Sequence, residues 1–67
     1  MHPSIEHLMQ YFDYSHLPEP LRTISSKFAD LAEELVHDHQ LEGPEASVGL
    51  RKLLEAKDCF VRAAVKP

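Results

Sequence analysis

The chain has 67 residues and a formal net charge of −4 at neutral pH, which suffices for one domain with a small core. The acidic balance argues against general nucleic-acid binding, which favours a basic surface. The sequence contains no apolar run of about 18 residues, so no membrane span is predicted. Cys59 is the only cysteine, so an intrachain disulfide is excluded, and without a recognisable signal peptide we expect a reducing cytoplasm. Because so small a core rarely contributes more than about 3–5 kcal/mol, we expect the chain to self-associate.

A first helix is predicted over about residues 3–13. Pro3 suits a first helical turn because its missing N–H is not needed there. The segment SHLPEP then ends the helix, since its two prolines bias the residues before them away from helical geometry. Apolar side chains recur at helical spacing on one face of the segment: Ile5, Leu8, Met9 and Phe12.

A second helix is predicted over about residues 19–40 and a third over about residues 44–64. Gly43 and Pro44 separate them, and so short a connection between helices of about 20 residues implies an antiparallel hairpin. The chain is therefore predicted to be all-α, one domain over residues 1–67 in which a short N-terminal helix packs on a long hairpin. The second helix has an apolar stripe expected to lie in the core: Leu21, Ile24, Phe28, Leu31 and Leu35.

A charge interrupts the apolar repeat of the third helix, because Lys57 occupies one of its positions. A buried, unpaired lysine is costly, so Lys57 must be paired, reach outward or face a cleft between subunits. Neighbouring side chains on a helix point apart, so we expect a partner from another helix or chain and not from Asp58. That partner is either a carboxylate or a ligand phosphate. The other members of the repeat are expected in the core: Leu50, Leu53, Phe60 and Ala64.

Leu54 and Val61 lie beside this repeat. Two interpretations are open, contact with the first helix or a second interface that assembles copies of the hairpin. The two can coexist.

Residues typical of catalytic or metal sites are few. Cys59 lies mid-helix beside an aromatic residue and is interpreted as a small buried hydrophobic residue, not a nucleophile. His37 and His39 lie about 200° apart on a regular helix, so one ion cannot reach both. Glu33 and His37 share a face, although a solvated last helical turn explains this histidine equally well. No catalytic residue, cofactor or metal site is predicted.

Tyr11 and Tyr14 do not fit the apolar face of the first helix. They either pack over a neighbouring loop or offer flat rings on which nucleobases stack, worth about 1–3 kcal/mol per base. Phosphates beside such bases need cationic or hydroxyl donors. Donors occur in the segment SSK and in residues 46–67: Ser25, Ser26 and Lys27, then Arg51, Lys52, Lys57, Arg62 and Lys66.

The motifs HLP, LRTISSKFADLA and LRKLLEAKDCFVRAA resemble the small phage anti-CBASS proteins of the second type, which act as cyclic-oligonucleotide sponges. The resemblance runs from about His2 to Ala64, and its most specific part is LRKLLEAKD followed by VRA. It implies a helical protomer that assembles into a homohexamer. It further implies that cyclic dinucleotides such as 3′,3′-cGAMP, and in some members cyclic trinucleotides, are held between protomers without cleavage. Bacterial CBASS antiphage signalling is thereby inhibited in the infected host cytoplasm.

The resemblance also implies site residues. In that family a tyrosine near the N terminus stacks on a base and a basic residue of the second helix contacts phosphate. Tyr11 matches the tyrosine, whereas Ser26 occupies the basic position and Lys27 follows it, about 100° around the helix. If Lys27 does not reach the pocket, the phosphate contacts are expected either to be weaker or to come from Arg62. Arg51, like Arg62, is chemically suited to a trinucleotide, and Lys57 is a further candidate ligand contact.

Two other functions remain open from the sequence. A helical hairpin can act as a protein–protein adaptor that has no nucleotide ligand and docks through its exposed stripe. A small DNA-binding regulator is opposed by the acidic balance and by the lack of a recognition-helix pattern.

Overall fold

The computed structural model describes residues 3–65, so His2 and the basic residue Lys66 lie outside the described residues. Within that range no strand occurs, which confirms the predicted all-α class. None of the helices in this range is long and apolar enough to cross a membrane. The elements in chain order are helix α1 (Pro3–Met9), a 3₁₀ turn (Gln10–Phe12), helix α2 (Leu21–Glu33), a π-helical turn (Glu34–Asp38) and helix α3 (Pro44–Ala64).

The third helix has the predicted bounds, whereas the first two differ from their predictions. The first helix tightens to a 3₁₀ turn after Met9, and the backbone becomes extended at Asp13. The Asp13 carboxylate accepts hydrogen bonds from the amide and hydroxyl of Ser15, at 3.1 and 3.0 Å. Such a local turn competes with helix continuation. The same two bonds, the amide first, lower the pKa of Asp13.

The start of α2 is fixed by Glu19, which lies two residues before the helix. Its carboxylate accepts hydrogen bonds from the amide of Thr23 at 2.9 Å and from the hydroxyl of Thr23 at 2.8 Å. An amide of the first turn, which has no partner within the helix, is thereby satisfied. These bonds, the hydroxyl first, lower the pKa of Glu19.

The helical backbone widens to a π-helical turn after α2, before the chain reverses direction into α3. The amide of His39 donates to the carbonyl of Glu34 at 3.1 Å, the five-residue spacing of a π-helix. Gly43 has φ 101°, a conformation that disfavours residues with a Cβ, and Pro44 opens α3. Further along, Phe28 stacks on Phe60 with ring centroids 5.8 Å apart. These contacts make α2 and α3 an antiparallel hairpin.

Helix α1 packs on one side of this hairpin. The hydroxyl of Ser4 lies 3.1 Å from that of Ser47, near the start of α3, while Phe12 and Ala29 line a common cleft. Leu54 packs against the core, which favours its interpretation as a contact of the first helix. The buried apolar residues are Ile5, Phe12, Ala29, Ala32, Val36 and Leu50.

The most buried side of α2 lies beside the predicted stripe, of which Phe28 packs partly buried against the core. Ala29 and Ala32 face the core, and the small size of their side chains lets the 3₁₀ turn after α1 pack against α2. Leu31 of the stripe is 43% exposed, and Phe60 on α3 is 59% exposed. The predicted core positions of Leu31 and Phe60 are therefore wrong within one chain, because α1 lies on the other side of the hairpin.

Candidate binding surfaces

One side of the hairpin is apolar and only partly covered, and we call it the open face. On α3 its most exposed member is Phe60, whose ring lies against Phe28 of α2 with an interplanar angle of 26°. The face continues along both helices toward the turn. Its members are the exposed Leu31, Gly49 and Phe60 and the half-buried Ile24, Phe28, Leu35, Leu53 and Ala56, of which Phe28 and Leu53 also pack against the core.

Helical geometry explains why α1 leaves this face uncovered. On α2, Phe28 and Leu31 lie roughly 100–160° around the helix from Ala29, which faces the N-terminal segment. On α3, Phe60 lies roughly 140° from Ser47, which contacts α1. The N-terminal segment and the open face are therefore on opposite sides of the hairpin.

An apolar cleft of about 440 Å³ lies at the turn end of the open face. Its floor includes Gly49, where no heavy atom apart from the adjoining backbone of the helix and the two neighbouring residues lies within 4 Å of the position that a Cβ would occupy. Two carboxylates, those of Glu42 and Glu45, belong to its lining. The apolar lining residues are Leu35, Val36, Leu41, Ala46, Leu50 and Leu53.

Lys57 is satisfied within its own helix. Its side chain is 13% exposed, and its ammonium lies 2.9 Å from Oδ1 of Asp58, whose side chain is 47% exposed. The prediction that the partner comes from another helix or chain is wrong, because the long lysine side chain bends around the helix to the adjacent carboxylate. A carboxylate is thus the partner of Lys57, and this ion pair does not set the register between helices.

The two tyrosines of the N-terminal segment have different environments. Tyr11 is 51% exposed, and its ring meets that of His7 nearly at right angles, with centroids 5.6 Å apart. Tyr14 packs partly buried against the core, which does not fit the alternative that it offers a free ring for stacking. Tyr11 alone keeps the exposed ring that a stacking platform requires.

Ser26 and Lys27 sit on α2, away from the core. The hydroxyl of Ser26 donates to the carbonyl of Thr23 at 2.7 Å. Lys27 is exposed and forms no ion pair with any residue of the described range 3–65. It lies roughly 160° around α2 from the buried Ser25, so its ammonium is free to meet an anion outside the chain.

Arg51 and Arg62 are exposed on α3. They are separated by about 16 Å along the helix, too far to bind the same phosphate group. Arg62 Nη2 donates to Cys59 Sγ at 3.5 Å. Cys59 is itself exposed, so its interpretation as a small buried hydrophobic residue is wrong.

The histidines near the hairpin turn pair with glutamates. His37 Nε2 lies 3.1 Å from Glu33 Oε2, the face-sharing pair expected from the sequence, and His39 Nε2 lies 3.8 Å from Glu34 Oε1. Within residues 3–65 no group of three or more His, Cys, Asp or Glu side chains is arranged to hold a metal ion. These pairs are solvent-accessible contacts at the π-helical turn.

The six predicted ligand contacts do not form one pocket in a single chain. None of them lines the apolar cleft, the polar cleft beside His37 or the acidic cleft beside Tyr14. The six predicted contacts are Tyr11, Ser26, Lys27, Arg51, Lys57 and Arg62.

Sequence reasoning also missed Gly49 as a surface residue, although a glycine inside an otherwise regular helix is a signal of close approach.

The fold and these surfaces define a small three-helix protein with an open apolar face and scattered exposed cations. Comparison of the chain with family models, curated proteins and solved structures found no match.

Proposed function

We propose that the chain is a homo-oligomeric sponge for cyclic oligonucleotides, as its resemblance to the second type of anti-CBASS protein implies. It sequesters 3′,3′-cGAMP-type cyclic dinucleotides, and possible further ligands are cyclic trinucleotides. It acts in the cytoplasm of the infected bacterial host, where it inhibits CBASS signalling without cleaving the messenger. The exposed ring of Tyr11 is the observation that carries this proposal.

The environment of Tyr11 supports a stacking role. Its neighbour Phe12 is buried and holds the 3₁₀ turn against the core, so the turn presents Tyr11 from a fixed base. The contact with His7 is perpendicular and not a stack, which leaves the tyrosine ring available to a base. A base stacked there contributes about 1–3 kcal/mol.

The phosphate contacts come from more than one chain. Lys27 of α2 and Arg51 and Arg62 of α3 are exposed, and none of them lines a cleft of the single protomer. A compact ligand with two phosphates would be enclosed where the Tyr11 side of one copy meets cations of another. Such a shared site accounts for tight binding without turnover, since no nucleophile is required.

A melting experiment tests the proposal. Purified protein is heated with 3′,3′-cGAMP, with a cyclic trinucleotide, and with a linear dinucleotide as control. A ligand at 100 times its Kd stabilises the folded state by about 2.7 kcal/mol, which raises Tm by on the order of 10 °C for a domain of this size. No shift with any cyclic ligand refutes the proposal.

Two substitutions at Tyr11 sharpen the test. Tyr11→Ala should abolish the ligand-dependent shift while the oligomer remains intact, and Tyr11→Phe should keep it because the ring is retained. Ligand recovered after protein denaturation is then analysed by chromatography. Intact ligand is expected, and degraded ligand would contradict sequestration.

A helical-hairpin adaptor is the second candidate, and the observation that favours it is the open face, with Phe60 and Leu31 exposed. An adaptor docks through such a face and needs no nucleotide pocket. It predicts the same Tm with and without cyclic nucleotide, in both the unmodified chain and the Tyr11→Ala variant.

A further inference from the structure

Gly49 lies in the interior of α3, and nothing within its own chain explains it. A glycine inside a helix costs about 1 kcal/mol relative to alanine, and a Cβ at Gly49 would meet open space. That space is the apolar cleft at one end of the open face. A glycine at the floor of a cleft is explained if a group from another molecule approaches the backbone there.

The other end of the open face carries an exposed apolar side chain, that of Phe60, whose chemistry matches the apolar cleft. Phe60 is 59% exposed and projects where the cleft does not extend. Along α3, Gly49 and Phe60 are separated by about 16 Å. One face therefore carries both an apolar cleft and an apolar projection, the arrangement that lets a surface pair with a copy of itself.

Charge selects the direction of that pairing. Residues 33–45, at the turn end, contain five acidic and no Lys or Arg residues. At the opposite end, residues 21–28 and 57–65 contain four Lys or Arg residues and one acid. An antiparallel pair brings the acidic end of each chain to the basic end of the other, whereas a parallel pair brings like charges together.

We propose that two copies pair through their open faces in antiparallel orientation, with Phe60 of each copy packed into the cleft over Gly49 of the other. A molecule of 39 × 17 × 16 Å offers, on its long side, an area on the order of the ~800 Å² that each partner contributes to a standard interface. This inference deepens the oligomeric part of the proposed function and does not depend on nucleotide binding.

The pairing direction is tested by cross-linking in a Cys59→Ser background, which removes the exposed native thiol. Chains with Gly49→Cys are mixed with chains with Phe60→Cys, refolded together, oxidised, and analysed on a non-reducing gel. We expect covalent dimers from the mixture and none from either variant alone, because like positions lie about 16 Å apart in the antiparallel pair. Dimers from Phe60→Cys alone, or none from the mixture, overturn the proposal.

A second measurement tests the contact of Phe60. Phe60→Glu should raise the Kd for self-association at least tenfold in analytical ultracentrifugation. Val48→Glu is the matched control, since Val48 is also an exposed apolar residue of α3 but lies about 120° around the helix from Phe60. Equal loss in both variants, or no loss in Phe60→Glu, contradicts the pairing.

Both measurements are made without nucleotide, so the two proposals fail separately. A chain that gives the mixed cross-link but binds no cyclic nucleotide refutes the sponge function alone. A chain that binds cyclic nucleotide without the mixed cross-link refutes the antiparallel pairing alone.

Discussion

Ser25 is fully buried, and its hydroxyl has no hydrogen-bond partner among the described residues. Ser25→Ala should therefore stabilise the protein. A buried hydroxyl without a partner costs about 1–3 kcal/mol, and alanine is the better helix former by roughly 0.5 kcal/mol. The void left by one oxygen subtracts a few tenths of a kcal/mol. The expected net gain is about 1–3 kcal/mol.

Urea denaturation followed by circular dichroism measures this gain, at one fixed protein concentration because self-association adds to apparent stability. Ser26→Ala is the matched control, since its partly exposed hydroxyl bonds only to the Thr23 carbonyl of its own helix. It should change stability by no more than about 0.5 kcal/mol. A loss of stability in Ser25→Ala would show that the hydroxyl has a partner, and would refute the reasoning.

Three further results are expected. Asp58→Asn should cost about 1 kcal/mol in urea denaturation because it leaves the largely buried ammonium of Lys57 without its carboxylate, whereas Lys57→Met should be neutral or stabilising. Glu19 has a lowered pKa when folded, so its contribution is present above its ordinary pKa and lost as the pH falls through the lowered value. Glu19→Gln should thus destabilise the protein at neutral pH and much less at about pH 3, and an equal effect at both would contradict this. Phe12→Ala should cost about 3 kcal/mol or more and Tyr11→Ala under about 1, because only Phe12 is buried; similar Tm losses would contradict the assigned burial.

The helices were predictable from the sequence because the apolar period and the breaking residues agree. Gly43 and Pro44 fix the start of α3, and the structure places it there. The early end of the first helix was less accessible, since it depends on Asp13 accepting two hydrogen bonds from Ser15. The apolar pattern of the segment is the same whether or not the Asp13 carboxylate forms such a turn.

The side of the hairpin that faces α1 was not predictable from hydrophobicity alone. The stripe through Leu31 is more apolar than the row containing Ser25 and Ala29, so pattern reasoning placed it in the core. Packing reversed this order, because small side chains let helices approach closely and α1 is too short to cover both sides. An apolar stripe identifies a surface for which burial is favourable, and only the arrangement of helices shows whether it is buried within the same chain.

The candidate ligand residues show a similar limit. The exposure of Tyr11 agrees with its predicted role, but Tyr14 has the same chemistry and packs on the core. Lys57 was predicted to need a partner from another helix or chain because neighbouring side chains on a helix point apart. A lysine long enough to reach the adjacent Asp58 removes that need.

The two proposals together constrain the number of chains. An antiparallel pair through the open face is isologous, so any closed assembly in which every open face is paired contains an even number of chains. Tyr11 belongs to the N-terminal segment on the opposite side of the hairpin, so a site shared at Tyr11 requires a second contact between chains. A hexamer built from three pairs satisfies both requirements. Native mass spectrometry should give an even count, and an odd count would leave some open faces without a partner and contradict the pairing.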